Sequence, residues 1–182
     1  VMESGSNNSI FVPSKSLPTR ISRRLIKYRA QRPLKFISDR PIVSFTFDDC
    51  PRSVPENALP IMEQHNWRAT IYAAMGLCGT TNHLGLHMSQ SDMLDAHKAG
   101  HQIDGHTFSH ISAREHSTQN FLDDIEANNG AFETIGLPPA RTFAYPYGEV
   151  TYPVKTALNH KFPLLRAIHS PHGPTTLNLN QP

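Results

Sequence analysis

Sulfur is scarce in this chain: Cys50 and Cys78 are the only cysteines in 182 residues. Two thiols cannot build a disulfide framework or a four-thiolate zinc site, so neither stability nor metal binding can rest on sulfur. Long apolar runs are also missing. No window approaches the roughly eighteen consecutive apolar residues of a membrane-spanning helix. Ile21, Leu25, Ile26 and Leu34 are too dispersed for the apolar stretch of about 7 to 15 residues in a secretory signal. No export signal is legible, which leaves the cytoplasm as the default compartment. With 38% apolar and 18% charged residues, the composition excludes disordered and fibrous classes and supports one domain of ordinary size. What is abundant is histidine, present eleven times.

The small net charge of +2 conceals two different textures. Residues 1–40 carry nine Lys or Arg against Glu3 and Asp39, a net of +7, while residues 41–182 carry eight against thirteen acids, a net of −5. The first segment reads as a basic, solvated leader, poorly ordered. A run of this kind can meet nucleic acid, a membrane surface or an acidic partner. No aromatic interleaving or reading motif accompanies it, so no nucleic-acid partner is expected.

From residue 41 onward, short apolar runs alternate with helical patterns, the signature of an α/β fold with a parallel sheet. Ile42, Val43, Phe45, Thr46 and Phe47, between Pro41 and Pro51, predict a first strand buried on both faces. Leu59, Met62 and His65 lie on helical spacing within residues 56–66, with Pro60 tolerable in a first turn. Residues 69–75 predict a second strand. Ser89 and Asp92 form a capping box that opens a helix ending at Gly100. Residues 101–108 give a third strand. A helix over 118–135 turns Phe121, Leu122, Ile125, Phe132 and Ile135 inward. Residues 142–147, 154–160 and 164–168 complete the pattern as strand, helix and fifth strand.

Chemistry in such folds gathers at the carboxyl ends of the strands. The first strand ends in Asp48-Asp49. Neighbouring side chains there point in different directions, so one carboxylate can bind a cation while the other handles protons; a turn or cap also uses such a pair. His106 and His110 follow the third strand, and one helical turn would bring both to one ion. His83 with His87 and His97 with His101 have the same spacing, but only His106 follows a strand and shares the rim with the acids. Two imidazoles and one carboxylate make the three-ligand set that leaves a zinc-like ion an open position. After the fourth strand, Tyr145, Pro146, Tyr147 and Gly148 make a stiff turn that could wall a groove.

The segments Thr46-Phe47-Asp48-Asp49-Cys50-Pro51, His106 to His110 and Tyr145-Pro146-Tyr147-Gly148 resemble, in that order, the first three motifs of the polysaccharide deacetylase family. This is carbohydrate esterase family 4, the NodB homology domain. The resemblance spans roughly residues 41–170 and implies an incomplete or distorted (β/α) barrel with about five strands in this chain. It implies a hydrolase that uses a divalent metal, zinc or cobalt, to remove acetyl groups from N-acetylated amino sugars in a glycan, water attacking the amide carbonyl. By the same resemblance, Asp48 is the general base, Asp49, His106 and His110 are metal ligands, and the Tyr147 backbone N–H is an oxyanion donor. Tyr145 and Pro146 would line the substrate groove.

Three departures accompany the resemblance. Cys50 stands where the family has glycine. Ala144 stands where many members have an arginine that contacts the base, leaving Asp48 without that cation. The family's last two motifs, with their Trp and general-acid His, are not found: Trp67 lies upstream, and the surroundings of His169 and His172 do not match. The domain at 41–182 therefore reads as shortened at its C-terminus, and the alternative reading is a non-catalytic, metal- or saccharide-binding remnant.

Overall fold

The computed structural model describes residues 12, 14–26, 28 and 39–167. A helix α1 (Leu17–Ile26) precedes the sheet; residues 1–11, 13, 27, 29–38 and 168–182, with Ile168, His169 and His172 among them, lie outside the described residues. Five parallel strands follow in the order β1 (Phe45–Asp48), β2 (Ala69–Ala73), then β5 (Gln102–Gly105), β6 (Thr142–Ala144) and β7 (Leu164–Arg166). The helices between them are α2 (Leu59–Gln64), α3 (Gln90–Lys98), α4 (Thr118–Thr134) and α5 (Tyr152–Leu158). A small antiparallel hairpin, β3 (Thr81–Asn82) and β4 (Gly85–Leu86), interrupts the path from β2 to α3. None of the described helices is long and apolar enough to cross a membrane.

Each strand lies beside its predecessor in the sheet, as in a singly wound barrel. Four inter-strand steps of about 4.8 Å would hold β1 and β7 roughly 19 Å apart in a flat sheet. Yet Arg166 of β7 forms an ion pair with Asp48 of β1. The sheet therefore curls, and the chain is an incomplete α/β barrel.

Two apolar clusters flank it. Ile71, Met88, Met93, Ile103 and Phe132 centre one; Phe121, Ile125, Phe143, Val154 and Leu158 centre the other. On α4, Phe121, Ile125 and Phe132 face inward as their spacing predicts. The capping box forms: Asp92 N–H donates to Ser89 Oγ at 3.2 Å, and Ser89 N–H donates to Asp92 Oδ2 at 2.7 Å. Asp104 is fully buried and ties β5 to β6, accepting from Arg141 N at 2.7 Å and Thr142 N at 3.0 Å. Burial pushes its carboxyl above the usual range.

Two expectations need correction. The first strand starts at Phe45, and Ile42 and Val43 are exposed, because β1 is the edge of the sheet rather than a strand covered on both faces. The helix expected at residues 56–66 is two pieces, a π-helical turn (Val54–Ala58) followed by α2. Pro60 has no N–H for the carbonyl of Glu56, and Leu59 N–H instead reaches back five residues to Val54 O. His65 ends the helix exposed and stacks on Trp67 rather than entering the core.

Candidate metal and catalytic site

Asp48 and Asp49 end β1 and diverge. The Asp48 carboxylate turns to Arg166, whose guanidinium touches both of its oxygens. Asp49 turns the other way, its Oδ1 lying 2.8 Å from His110 Nε2 and 3.2 Å from His106 Nε2. One ligand atom from each of Asp49, His106 and His110 falls within 4.8 Å of the others, the arrangement expected from the sequence.

The means of bringing the histidines together differs from expectation. Residues 106–110 are not a helical turn; Thr107 and His110 take left-handed φ values of 59° and 54°, and these bends aim both rings at one point. The loop is pinned from α4. Asp124 Oδ2 accepts from Phe108 N and Ser109 N, each at 2.9 Å, and Asp124 Oδ1 accepts from Ser109 Oγ at 2.9 Å. One turn further along α4, buried Asn128 accepts from Met75 N and donates to Ala73 O, both at 2.9 Å, fixing the exit of β2.

The donor set fits a divalent cation. His106 Nδ1 lies 2.8 Å from Ala144 O, and because a carbonyl only accepts, Nδ1 carries a proton; in the tautomer that ligates a metal, Nε2 then faces Asp49 with a lone pair. Asp49 Oδ1 is buried without a hydrogen bond. A carboxylate oxygen and an imidazole lone pair in that position repel unless a positive charge lies between them. Burial alone would raise the Asp49 carboxyl; a positive charge facing it, whether a cation or a proton on the His106 or His110 ring, outweighs burial and holds it well below the usual carboxylate range.

Cys50 occupies the position that the family fills with glycine, at φ 51°, with its side chain buried and Sγ 3.7 Å from Tyr72 O. The turn thus accepts a small side chain in a conformation suited to glycine. Burial, with Asp49 adding to it, pushes the thiol well above its ordinary value, which keeps it protonated and unsuited to ligation.

Tyr147 sits at φ 57°, partly exposed, with its ring edge-on to His110 at 4.5 Å between centroids. Tyr145 does not join it. That residue is 4% exposed and packs against Phe121 and Phe143, so its ring is not available to a sugar face. Pro146 is buried as well. The sequence carries the signal: Phe143 and Tyr145 are two apart, hence on the same side of a strand.

Two neighbours carry no signal of their own in the sequence. Arg166 supplies the cation that Ala144 lacks, and the two are Cα partners in the β6–β7 register. The guanidinium comes from the next strand along the rim and lies 5.1 Å from the Tyr72 ring centroid. His87 is buried, and its Nδ1 lies 2.5 Å from Asp49 O, bracing the backbone of the ligand. Only the hairpin path, which pairs Pro51 with His87, brings it there.

The sequence profile of the polysaccharide deacetylase family matches residues 37–162. No curated protein matches in direct sequence comparison. Among solved structures, IcaB from Ammonifex degensii superposes with a TM-score of 0.66 at 18% identity, covering 95% of this chain and 83% of that one. Streptococcus pyogenes deacetylase PplD gives 0.59 at 20% identity, covering 80% of this chain and 62% of its own. The chitin deacetylase of the fungal pathogen Colletotrichum lindemuthianum gives 0.56 at 19% identity, with 68% and 54% covered. The chain thus spans less than two thirds of the latter two. At these identities the superpositions speak for the fold; the profile, covering more than half of the sequence and all three rim segments, shows that this chain belongs to the polysaccharide deacetylase family.

Proposed function

We propose that this protein is a zinc-dependent hydrolase that removes acetyl groups from N-acetylated amino sugars in an oligo- or polysaccharide. The observation that carries this reading is the division of the acidic pair: Asp49 converges with His106 and His110, while Asp48 stands apart against Arg166. Asp49, His106 and His110 would hold the metal, which, when bound, polarises a carbonyl and acidifies water. Asp48 takes the proton of the attacking water as general base. Arg166 holds that carboxylate in one orientation, so little reorganisation is needed when the proton arrives. The Tyr147 N–H, on a stiff Pro-containing turn, donates to the oxyanion of the tetrahedral intermediate. Acetate departs, and a free amine remains on the sugar.

The test is acetate release from short N-acetylglucosamine oligomers by zinc-loaded protein, by chelated protein and after zinc is restored. Loss on chelation and recovery on reloading are expected. Stoichiometric zinc without acetate release would overturn the catalytic reading and leave a metal- or saccharide-binding role.

A further inference from the structure

Helix α1 is inverted relative to a helix that covers a core. Leu17, Ile21 and Leu25 are spaced four apart and form one apolar stripe, which in a packed helix turns inward. Here they are 67%, 49% and 56% exposed, and the helix has no buried residue. Its attachments to the body are polar. Arg23 forms an ion pair with Glu149, which also accepts from Arg114 Nε at 2.5 Å, and Lys155 Nζ donates to Ile26 O at 3.2 Å. Arg20 and Arg24 are exposed too, and at 100° per residue they run along one edge of the Leu–Ile stripe. Tyr152, 51% exposed at the start of α5, faces the stripe across an apolar groove of about 580 Å³.

We propose that α1 is an interfacial helix that docks the protein on an anionic lipid surface. Leu17, Ile21, Leu25 and Tyr152 enter the headgroup–acyl boundary, and Arg20 and Arg24 reach the lipid phosphates. An apolar stripe edged by arginines is the pattern of a helix lying in a membrane interface. Charge complementarity selects this occupant: the helix lies within a 40-residue stretch of net +7, which the negative potential of a lipid leaflet attracts. A second copy of the same face fits worse, because an antiparallel two-fold contact would set Arg20 and Arg24 against their own copies. Glu149, the anchor of α1, is two residues beyond Tyr147, so docking would hold the catalytic rim near the lipid surface. Lipid docking of this kind does not depend on the deacetylase reading.

The test is sedimentation of the full 182-residue chain with vesicles of phosphatidylcholine alone and of equimolar phosphatidylcholine and phosphatidylglycerol. Binding to the anionic vesicles, weakened by salt and absent from the neutral ones, is expected. Leu17→Ser/Ile21→Ser/Leu25→Ser should lower partitioning at least about tenfold. Arg20→Glu/Arg24→Glu, which leaves the apolar stripe intact, should lower it by about the same factor. Unchanged circular dichroism and urea midpoint would show that each variant keeps its core. Equal binding to both vesicle types, or wild-type binding by either variant, overturns the proposal. So does a dimer in solution that the triple serine variant abolishes.

Discussion

The two ends of the sheet use the same unusual backbone conformation with opposite choices of residue. At the amino ends, where helices return to strands, the left-handed positions are Asn66 before β2, Gly100 before β5 and Gly136 before β6. These residue types adopt that conformation at little cost. At the carboxyl ends the left-handed residues include Asp49, Cys50, Thr107, His110 and Tyr147. A side chain other than Gly, Asn or Asp there costs roughly 1 to 2 kcal/mol. Five of the six non-glycine residues with positive φ among those described lie on this one rim. The amino ends are built for stability, whereas the rim sacrifices stability to aim particular side chains.

If that contrast is right, substitutions at the rim should alter chemistry far more than stability. The largest effect is expected at the acidic pair. His106→Ala or Asp49→Ala should abolish stoichiometric zinc, measured after dialysis. Asp48→Asn should retain zinc but lose about 10² to 10⁴ in acetate release, the usual range for a positioned general base. Simultaneous loss of metal and activity in Asp48→Asn would refute the division of roles.

Next in size is Asn128, which supports the rim from behind. Its amide satisfies Met75 N and Ala73 O inside the protein. Asn128→Leu leaves both unpaired and should lower the unfolding free energy by about 2 to 4 kcal/mol, read from urea denaturation. A change smaller than about 1 kcal/mol would mean that water replaces the amide and that the rim does not lean on α4.

A relocation experiment sharpens the comparison within the rim itself. Arg166→Leu should reduce kcat by roughly 10- to 100-fold through loss of carboxylate positioning, with zinc retained. Adding Ala144→Arg, at the residue paired with position 166, should restore part of that loss. Because both strands deliver their side chains to the same point, rescue would assign the effect to the cation and not to either strand's packing. Failure of rescue, with the double variant folded, would show that the arginine must approach from β7.

The same contrast between local and long-range determinants governs how much of the molecule is legible in its sequence. The strand and helix order, the Ser89 capping box and the inward face of α4 depend on residues close in sequence, and spacing suffices for them. The placement of Asp48, Asp49, His106, His110 and Tyr147 on one rim is legible because strand ends identify that rim even when its curvature is unknown. Arg166 is not, since its role depends on β7 lying beside β6 and on the sheet curling back toward β1. His87 is hidden because four-residue histidine spacings recur in a histidine-rich chain, and only the β3–β4 excursion singles it out. For Tyr145, proximity to the turn motif misleads and strand parity is the better guide. The stripe of α1 can be read from its spacing, but its outward orientation has no local signature, because that is fixed by the long-range Arg23–Glu149 pair.

The smallest expected effect tests the premise of the whole comparison. Gly136 lies at φ 85°, and a Cβ built there meets nothing within 4 Å. Gly136→Ala therefore introduces left-handed strain without a clash, isolating the quantity that the rim is argued to bear. It should cost about 1 kcal/mol in the urea midpoint analysis and leave zinc binding and acetate release unchanged, because the site lies at the other end of the strands. An unchanged midpoint would mean that this backbone accommodates a side chain at positive φ without penalty. The concentration of Cys50, Thr107, His110 and Tyr147 in that conformation would then no longer indicate stability given up for geometry, even if every substitution at the metal site behaved as expected.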